Sequence, residues 1–240
     1  MTMPKDTVTV VIPVFNDRES LSVAIPRSLE AIAPVSPNFE LIVAEDGSTD
    51  GSALVVRDWE SRDNRVLLLH SDERLGRGRA LARAFSVARG DIVCYYDVDL
   101  ATDLAHLSEL VGAIREGYDI ATGSRLLPGS RIDRSGSREL ASRSYNFLVR
   151  TILGSRVYDH QCGFKAFRKE RLLSLLPEVR DTHWFWDTEV LVRAQRKGYS
   201  VRELPVRWRE GRGTTVKRKD VYQMGKAILR LWWQLHVEKG

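Results

Sequence analysis

Cysteine is almost missing from this sequence, with Cys94 and Cys162 the only two in 240 residues. Each sits among apolar neighbours without metal-ligand spacing, which argues against a disulfide framework and a thiolate metal centre and favours reduced, structural thiols. Long apolar runs are also absent: nothing approaches the roughly 18 residues that a membrane span requires. The opening MTMPKDTVTV has no signal-peptide profile, so a cytoplasmic chain is expected. There is no internal repeat, no low-complexity tract and no aromatic RNA-binding motif, and nucleic acid is therefore not an expected partner.

What is present reads as one domain over residues 1–240, since 43% hydrophobic and 29% charged residues are ordinary for a globular chain of this length. The net charge of +5 hides an asymmetry: residues 1–120 carry 12 Lys and Arg against 20 Asp and Glu, and residues 121–240 carry 25 against 12. A basic half suits phosphate, nucleic acid or an anionic membrane surface, although a solvated basic face explains the excess equally well.

Short β-branched and apolar runs alternate with helical patterns. VTVVIPVF (Val8 to Phe15), FELIVAE (Phe39 to Glu45), RVLLLH (Arg65 to His70), DIVCYYDV (Asp91 to Val98) and YDIATGS (Tyr118 to Ser124) read as strands, with segments such as GRALARAFSVAR (Gly78 to Arg89) as helices between them. Strands without clean alternation are buried on both faces, and strand–helix alternation implies βαβ units. The expected fold class is α/β, a Rossmann-like doubly wound and mostly parallel sheet with ligands at the carboxyl ends of its strands.

Those ends are acidic: Asp17 follows the first run, Glu45 and Asp46 the second, Asp97 and Asp99 the fourth. Singly, each has a bland explanation. Asp46-Gly47-Ser48 is good turn chemistry, Asp50 suits a helix cap, and an isolated D-x-D is usually a solvated turn. Three loops turning acidic at one sheet edge are harder to explain that way, and the D-x-D spacing suits a hard divalent cation, which relieves the repulsion between carboxylates.

LLPGSRIDRSGSREL (Leu126 to Leu140) reads as a Gly/Ser/Arg-rich loop, with Arg125 at its border and Arg131, Arg134 and Arg138 within it. KDVYQMGKAILRLWWQLHV (Lys219 to Val237) reads as an amphipathic helix with Val221, Met224, Ile228, Leu231 and Leu235 on one face. Its Trp233, Lys226 and Arg230 leave two readings open, a helix packed on the core and an interfacial helix.

In order and spacing these segments resemble the inverting nucleotide-diphospho-sugar glycosyltransferases of family 2, which have the GT-A fold. The segments are VVIPVFND, VAEDGSTDGS, ERLGRGRALARAF and DVDL, and the resemblance covers almost the whole chain. Within the family, GSRLLPGSR, YDHQCGFKAFRK, FWDTEVLVRAQRKGY and LPVRWREGRGTTVK are similar to polyprenyl-phosphate sugar synthases, above all the dolichyl-phosphate glucose branch. Two departures stand out: Glu45 replaces an Asp common among relatives, and an N-terminal membrane anchor like that of the eukaryotic glucose synthases is not expected here.

The resemblance implies a site. Asp97 and Asp99 become the ligands of Mg2+ or Mn2+, and Pro13, Phe15, Asp17, Glu45, Asp46, Asp97 and Val98 the nucleotide-sugar side. Arg125, Arg138, Ser142 and Arg212 become the acceptor-phosphate side. Asp187, with Glu189 beside it, stands at the acidic position from which other members take a general base; here it is either that base or a positioning group. His160 and His183 read as structural. Residues 1–120 would form the nucleotide-sugar and metal half, 121–218 the acceptor half, and 219–240 the terminal helix.

The implied activity is inverting transfer of a hexose, glucose from UDP-glucose preferred over mannose from GDP-mannose, to dolichyl or another polyprenyl phosphate. Contact with the cytoplasmic membrane face is expected to be peripheral. Alternatives are a soluble family 2 enzyme acting on a sugar hydroxyl and, in a different class, a non-catalytic nucleotide- or nucleic-acid-binding module. Oligomeric state is left open.

Overall fold

The computed structural model describes residues 7–133, 136–210 and 218–238. In chain order the elements are β1 (Val8–Val14), α1 (Arg18–Ile32), β2 (Phe39–Glu45), α2 (Ser52–Arg62), β3 (Val66–Leu69), α3 (Arg77–Val87), β4 (Ile92–Tyr96), α4 (Leu107–Arg115), β5 (Ile120–Ser124), β6 (Arg131–Asp133), α5 (Gly136–Leu153), β7 (Phe164–Arg168), α6 (Lys169–Leu175), α7 (Trp186–Arg196), β8 (Val201–Pro205), β9 (Arg207–Arg209) and α8 (Arg218–His236).

Seven strands form one sheet in the order β3-β2-β1-β4-β7-β5-β8. All neighbours run parallel except β7, which lies antiparallel to both β4 and β5. The mostly parallel α/β expectation therefore stands. Every residue of β1, β2, β4 and β5 is buried, as unalternating apolar runs require. On one face Val10, Ile12 and Cys94 pack with Leu21, Ile25, Leu107 and Leu110 of α1 and α4. On the other, Val11, Val93 and Tyr95 pack with Leu81, Phe85, Trp186 and Val190 of α3 and α7. Each such side chain contributes about 1.5–3 kcal/mol relative to exposure, and both cysteines lie buried and free within these layers.

Two expectations need correcting. Residues 126–140, read as a loop from their composition, contain β6 and the start of α5. Arg131-Ile132-Asp133 is ordered by parallel pairing with Arg207-Trp208-Arg209, a partner remote in sequence. The capping of α2 also differs: Gly51 is its N-cap, while Asp50 accepts from the Ser52 and Arg18 backbone N–H groups and so ties two loops together.

The terminal helix forms, and of the face read from the sequence Met224, Ile228, Leu231 and Leu235 bury against Val149 and Leu153 of α5 and Val192 of α7, while the Val221 side chain lies outside the described ones. Its opposite face leaves Tyr222, Leu229, Trp232 and Trp233 exposed, next to Lys226 and Arg230. No helix among the described residues is long and apolar enough to cross a membrane.

Candidate active site

Because β1, β2 and β4 are parallel neighbours, the loops at their carboxyl ends lie side by side. The first two are stitched together. The Asn16 backbone N–H donates to Ser48 Oγ at 2.9 Å, and Asn16 Oδ1 accepts from the Thr49 N–H at 2.7 Å. Asp17 caps α1 by accepting from the Ser20 N–H, and its charge is felt at Asp99.

Three residues assigned to the nucleotide-sugar side are buried, and two of them bond within the fold. Pro13 lies within β1, buried and in register with Ala44, so it shapes the strand and offers no contact surface. Glu45 is turned inward, where it accepts from the Ser48 N–H and contacts His70 Nδ1. The extra methylene that sets it apart from aspartate is what carries the carboxylate from the end of β2 to the end of β3. Asp46 spends both oxygens on the loop before α3, accepting from Leu75 N–H at 2.7 Å and Gly76 N–H at 2.9 Å. These two bonds tie that loop to the end of β2. Phe15 is partly exposed beneath the Arg74 guanidinium, 3.9 Å from the ring centroid. Val98 is partly buried against the core.

The loop held by Asp46 has a consequence for α3. Gly76 adopts φ +101°, and a Cβ at Gly78 would come within 2.6 Å of Trp186, so the start of α3 sits directly against the start of α7. Arg77 is thereby wedged between two carboxylates. Its Nε and Nη2 donate to Asp97 Oδ1 at 3.0 and 2.7 Å, and its Nη1 donates to Asp187 Oδ2 at 2.7 Å. Although burial opposes the charge, Asp97 and Asp187 together raise the guanidinium above its ordinary value.

Asp187 has a crowded environment. Its Oδ1 accepts from Lys165 Nζ at 2.9 Å and from the Tyr95 hydroxyl, so all its described partners are donors. Burial raises its carboxyl, against the pull of Arg77. Lys165 belongs to β7 and is fully buried, its other donations going to the carbonyls of Cys162 at 2.6 Å and His160 at 3.1 Å. Burial brings its ammonium down to about 8. Neighbouring Glu189 instead ion-pairs with Arg193 and accepts from Asp181 N–H.

Asp97 and Asp99 flank the turn after β4. Beyond Arg77 on Oδ1, Asp97 has no other side-chain bond among the described residues, and Asp99 accepts only from Ala101 N–H at 3.0 Å. Asp99 lies at the rim, with protein crowding its inner side. That enclosure raises its carboxyl, and the charge of Asp97 adds to the rise. Gly163 closes over Asp97 so tightly that a Cβ there would meet Oδ2 at 1.8 Å. Among the described residues no three Asp, Glu, His or Cys side chains form a metal cage. Two carboxylates with spare oxygens, whose mutual repulsion Arg77 offsets only in part, fit a hard cation that takes its remaining ligands from phosphate and water.

On the expected acceptor side, Arg125 is bidentate to buried Asp159, with Nε at 2.7 Å and Nη2 at 2.9 Å. Burial opposes ionisation of Asp159, but the Arg125 charge and bonds win and hold it well below the usual carboxylate range. Arg125 is thus a neutralised strut near Asp97, not a free cation. Arg138 pairs with Glu210 at the entrance of α5. The Ser142 hydroxyl is buried with no partner among the described residues, and Arg212 lies outside them. His160 is structural as expected, bonded to Asn146 and Ser155 and drawn down to about 3 by burial. His183 is exposed, with its ring beside Gly76.

Sequence reasoning did not single out Arg77, Lys165, Asp159, His70 or Gly163. Arg77 is one of four arginines in RLGRGRALAR and nothing local marks it; Lys165 carries a signal, a lone lysine inside the apolar segment CGFKAF.

Comparison with known proteins now adds to this geometry. Residues 9–175 match the profile of Glycosyl transferase family 2. Glycosyltransferase AglD of Haloferax volcanii is 49% identical over 234 residues, which cover 96% of this chain and 38% of that protein. The chain thus spans little more than a third of that relative. Dolichyl-phosphate beta-glucosyltransferase ALG5C of Trichomonas vaginalis is 28% identical, covering 93% of this chain and 70% of that protein. Polyprenol monophosphomannose synthase of Mycolicibacterium smegmatis is 30% identical, covering 86% and 79%. Among solved structures, glucosyl-3-phosphoglycerate synthase from Mycobacterium tuberculosis, in complex with Mn2+, UDP and glucosyl-3-phosphoglycerate, superposes with a TM-score of 0.70 at 21% identity, over 96% of this chain and 80% of that one. At that identity the likeness speaks to the fold.

Proposed function

This chain belongs to glycosyl transferase family 2, and from that membership we propose that it moves a hexose from a nucleoside diphosphate sugar to a polyprenyl phosphate such as dolichyl phosphate. Glucose from UDP-glucose is the preferred donor. A phosphate oxygen of the acceptor attacks the anomeric carbon as the bond to the diphosphate breaks, so an α-linked donor gives a β-linked lipid-phosphate sugar. Two relatives bear names of this acceptor class, one a glucosyl and one a mannosyl enzyme.

The observation that carries the acceptor class is the state of Asp187, whose oxygens are occupied by Arg77, Lys165 and Tyr95. A sugar hydroxyl has to lose its proton as it attacks and needs a positioned base. A phosphate monoester, with a second pKa of about 6, is already anionic and needs cationic positioning instead. A carboxylate committed to three donors suits the second task. Arg138, Arg212 and the Ser142 hydroxyl, which has no partner among the described residues, are the groups we assign to the acceptor phosphate, while Arg125 is held on Asp159.

Asp97 and Asp99 are the residues that would hold Mg2+ or Mn2+, which supplies Lewis-acid stabilisation of the departing diphosphate. Asp17 and Phe15 border the donor cleft, while Glu45 and Asp46 keep its loops in place. The exposed aromatic face of α8 is assigned to peripheral contact with the bilayer that holds the acceptor.

The test is to supply purified protein and Mn2+ with labelled UDP-glucose or GDP-mannose, each with dolichyl phosphate in detergent or with phosphate-free sugar acceptors. Acid-labile labelled lipid from UDP-glucose is expected. Label from GDP-mannose alone corrects the donor, and label only in the free sugars rejects the acceptor class.

A further inference from the structure

Arg77 holds Asp97 by one edge of its guanidinium and Asp187 by the remaining nitrogen. The two contacts are not equivalent. Asp187 is almost completely buried and further fixed by Lys165 and Tyr95, whereas the Asp97 side chain keeps 40% of its exposure and faces the open cleft. Asp187 is therefore an anchor, and Asp97 is a contact open to exchange.

Asp97 is also the carboxylate assigned above to the divalent cation, and this inference rests on that reading. One oxygen, Oδ1, receives both hydrogen bonds from the Nε and Nη2 edge. A cation approaching Asp97 has to compete with a guanidinium already there. When it succeeds, the edge it displaces becomes a fork of two N–H donors at the same place, facing whatever anion the cation brings with it. A planar fork is the donor geometry best matched to phosphate oxygens.

We propose that Arg77 is an exchangeable counter-ion: its Nε/Nη2 edge neutralises Asp97 in the resting enzyme and turns onto the diphosphate of the donor when a divalent cation takes Asp97, while Nη1 stays on Asp187. Asp187 then acts as a positioning residue for Arg77. The exchange keeps the cleft close to neutral in both states. It also makes cation and nucleotide binding mutually reinforcing, because each removes one partner from the competing pair.

Two quantities separate this role from a structural one. The first is Mn2+ affinity without nucleotide, read from the free-ion EPR signal. The second is affinity for UDP, and for GDP, at saturating Mn2+, read by calorimetry. Arg77→Gln removes the competitor and is expected to bind Mn2+ alone about tenfold more tightly, the equivalent of one charged hydrogen-bond contact, and UDP about tenfold more weakly. Arg77→Lys retains the charge, but a single ammonium cannot hold Asp187 and present a fork. It should keep near-parental Mn2+ affinity and still lose nucleotide affinity, so it carries the test if the Gln variant fails to fold.

If Mn2+ affinity does not rise in a folded Arg77→Gln, or nucleotide affinity does not fall in either variant, the exchange is wrong. A parent protein that takes up no Mn2+ even with nucleotide present overturns the cation-site reading itself, a result distinct from unchanged variants of a parent that does bind it.

Discussion

Lys165 Nζ lies 2.9 Å from Asp187 Oδ1, with the lysine fully buried and only 5% of the aspartate side chain exposed. This pair joins β7, in the middle of the sheet, to the first turn of α7, on which Arg77 is anchored. Removing one member of a buried pair strands the other's charge, at a cost of about 3–5 kcal/mol. Lys165→Met is therefore expected to lower unfolding stability by that order, and Lys165→Met/Asp187→Asn to recover part of the loss. Chemical denaturation of the parent, the two single variants and the double variant measures the coupling; additive losses would show that the contact contributes nothing.

Gly163 offers a way to disturb the cation site without touching a ligand. A methyl group there meets the Asp97 carboxylate, so Gly163→Ala should displace it and reduce transfer by about two orders of magnitude, as misplacement of a reacting group by an ångström does. Asp99→Asn and excess chelator should have the same effect with the fold intact by circular dichroism. Full turnover in chelator rejects the cation assignment.

The acceptor class is separated by a pair of variants. If the acceptor is a lipid phosphate, Arg138→Ala should raise the acceptor KM about tenfold, the loss expected for one charge-assisted contact, with donor affinity unchanged. If a sugar hydroxyl were the acceptor, Arg138→Ala would be mild and Asp187→Asn would stop transfer without weakening donor binding. In our reading Asp187→Asn instead weakens the donor, through Arg77.

His160 sets an acid limit on stability. Its Nδ1 faces Asn146 Oδ1 and its Nε2 faces the Ser155 hydroxyl, so the buried ring is neutral, with a folded value of about 3 against 6.5 for the free group. The unfolded chain takes up a proton that the folded chain refuses. The stability linked to this residue is thus complete above pH 6.5 and falls as pH drops from 6.5 toward 3. In denaturation series from pH 7 to 4.5, His160→Gln should show a shallower decline than the parent. Parallel curves would remove His160 as the cause.

Salt should govern attachment to membranes. Trp232 and Trp233 are 40% and 54% exposed, near Lys226 and Arg230. Co-flotation with anionic vesicles is expected to weaken between about 0.05 and 0.5 M salt as the Debye length shrinks, and to be lost in Trp232→Ala/Trp233→Ala. Flotation indifferent to both changes would leave α8 as packing alone.

The sequence made the donor side of the sheet readable because its strands are contiguous, unalternating and each followed by acid. It did not show what the acids contact within the fold. Glu45 and Asp46 carry the right charge in the right loops, yet their partners, His70 and the backbone of Leu75 and Gly76, are supplied by tertiary contact. The same limit hid the second set of contacts. Asp159 lies 34 positions from Arg125, and Asp187 lies 110 from Arg77. No local pattern marks such a pair, and only folding shows which of many arginines is enclosed with a carboxylate.

The reversed strand β7 has a consequence for how the chain is made. β4 and β5 both bond to it and not to each other. As synthesis proceeds from the N-terminus, β4 leaves the ribosome with one edge satisfied by β1 and the other bare, and β5 follows with no neighbour at all. Both wait until Phe164–Arg168 emerges and slips between them. During that interval two apolar strands show open edges, the form of surface that holding chaperones capture and that pairs wrongly with other chains. A stall or truncation before residue 164 should therefore yield an aggregating fragment, even though the donor-side loops it contains are all present.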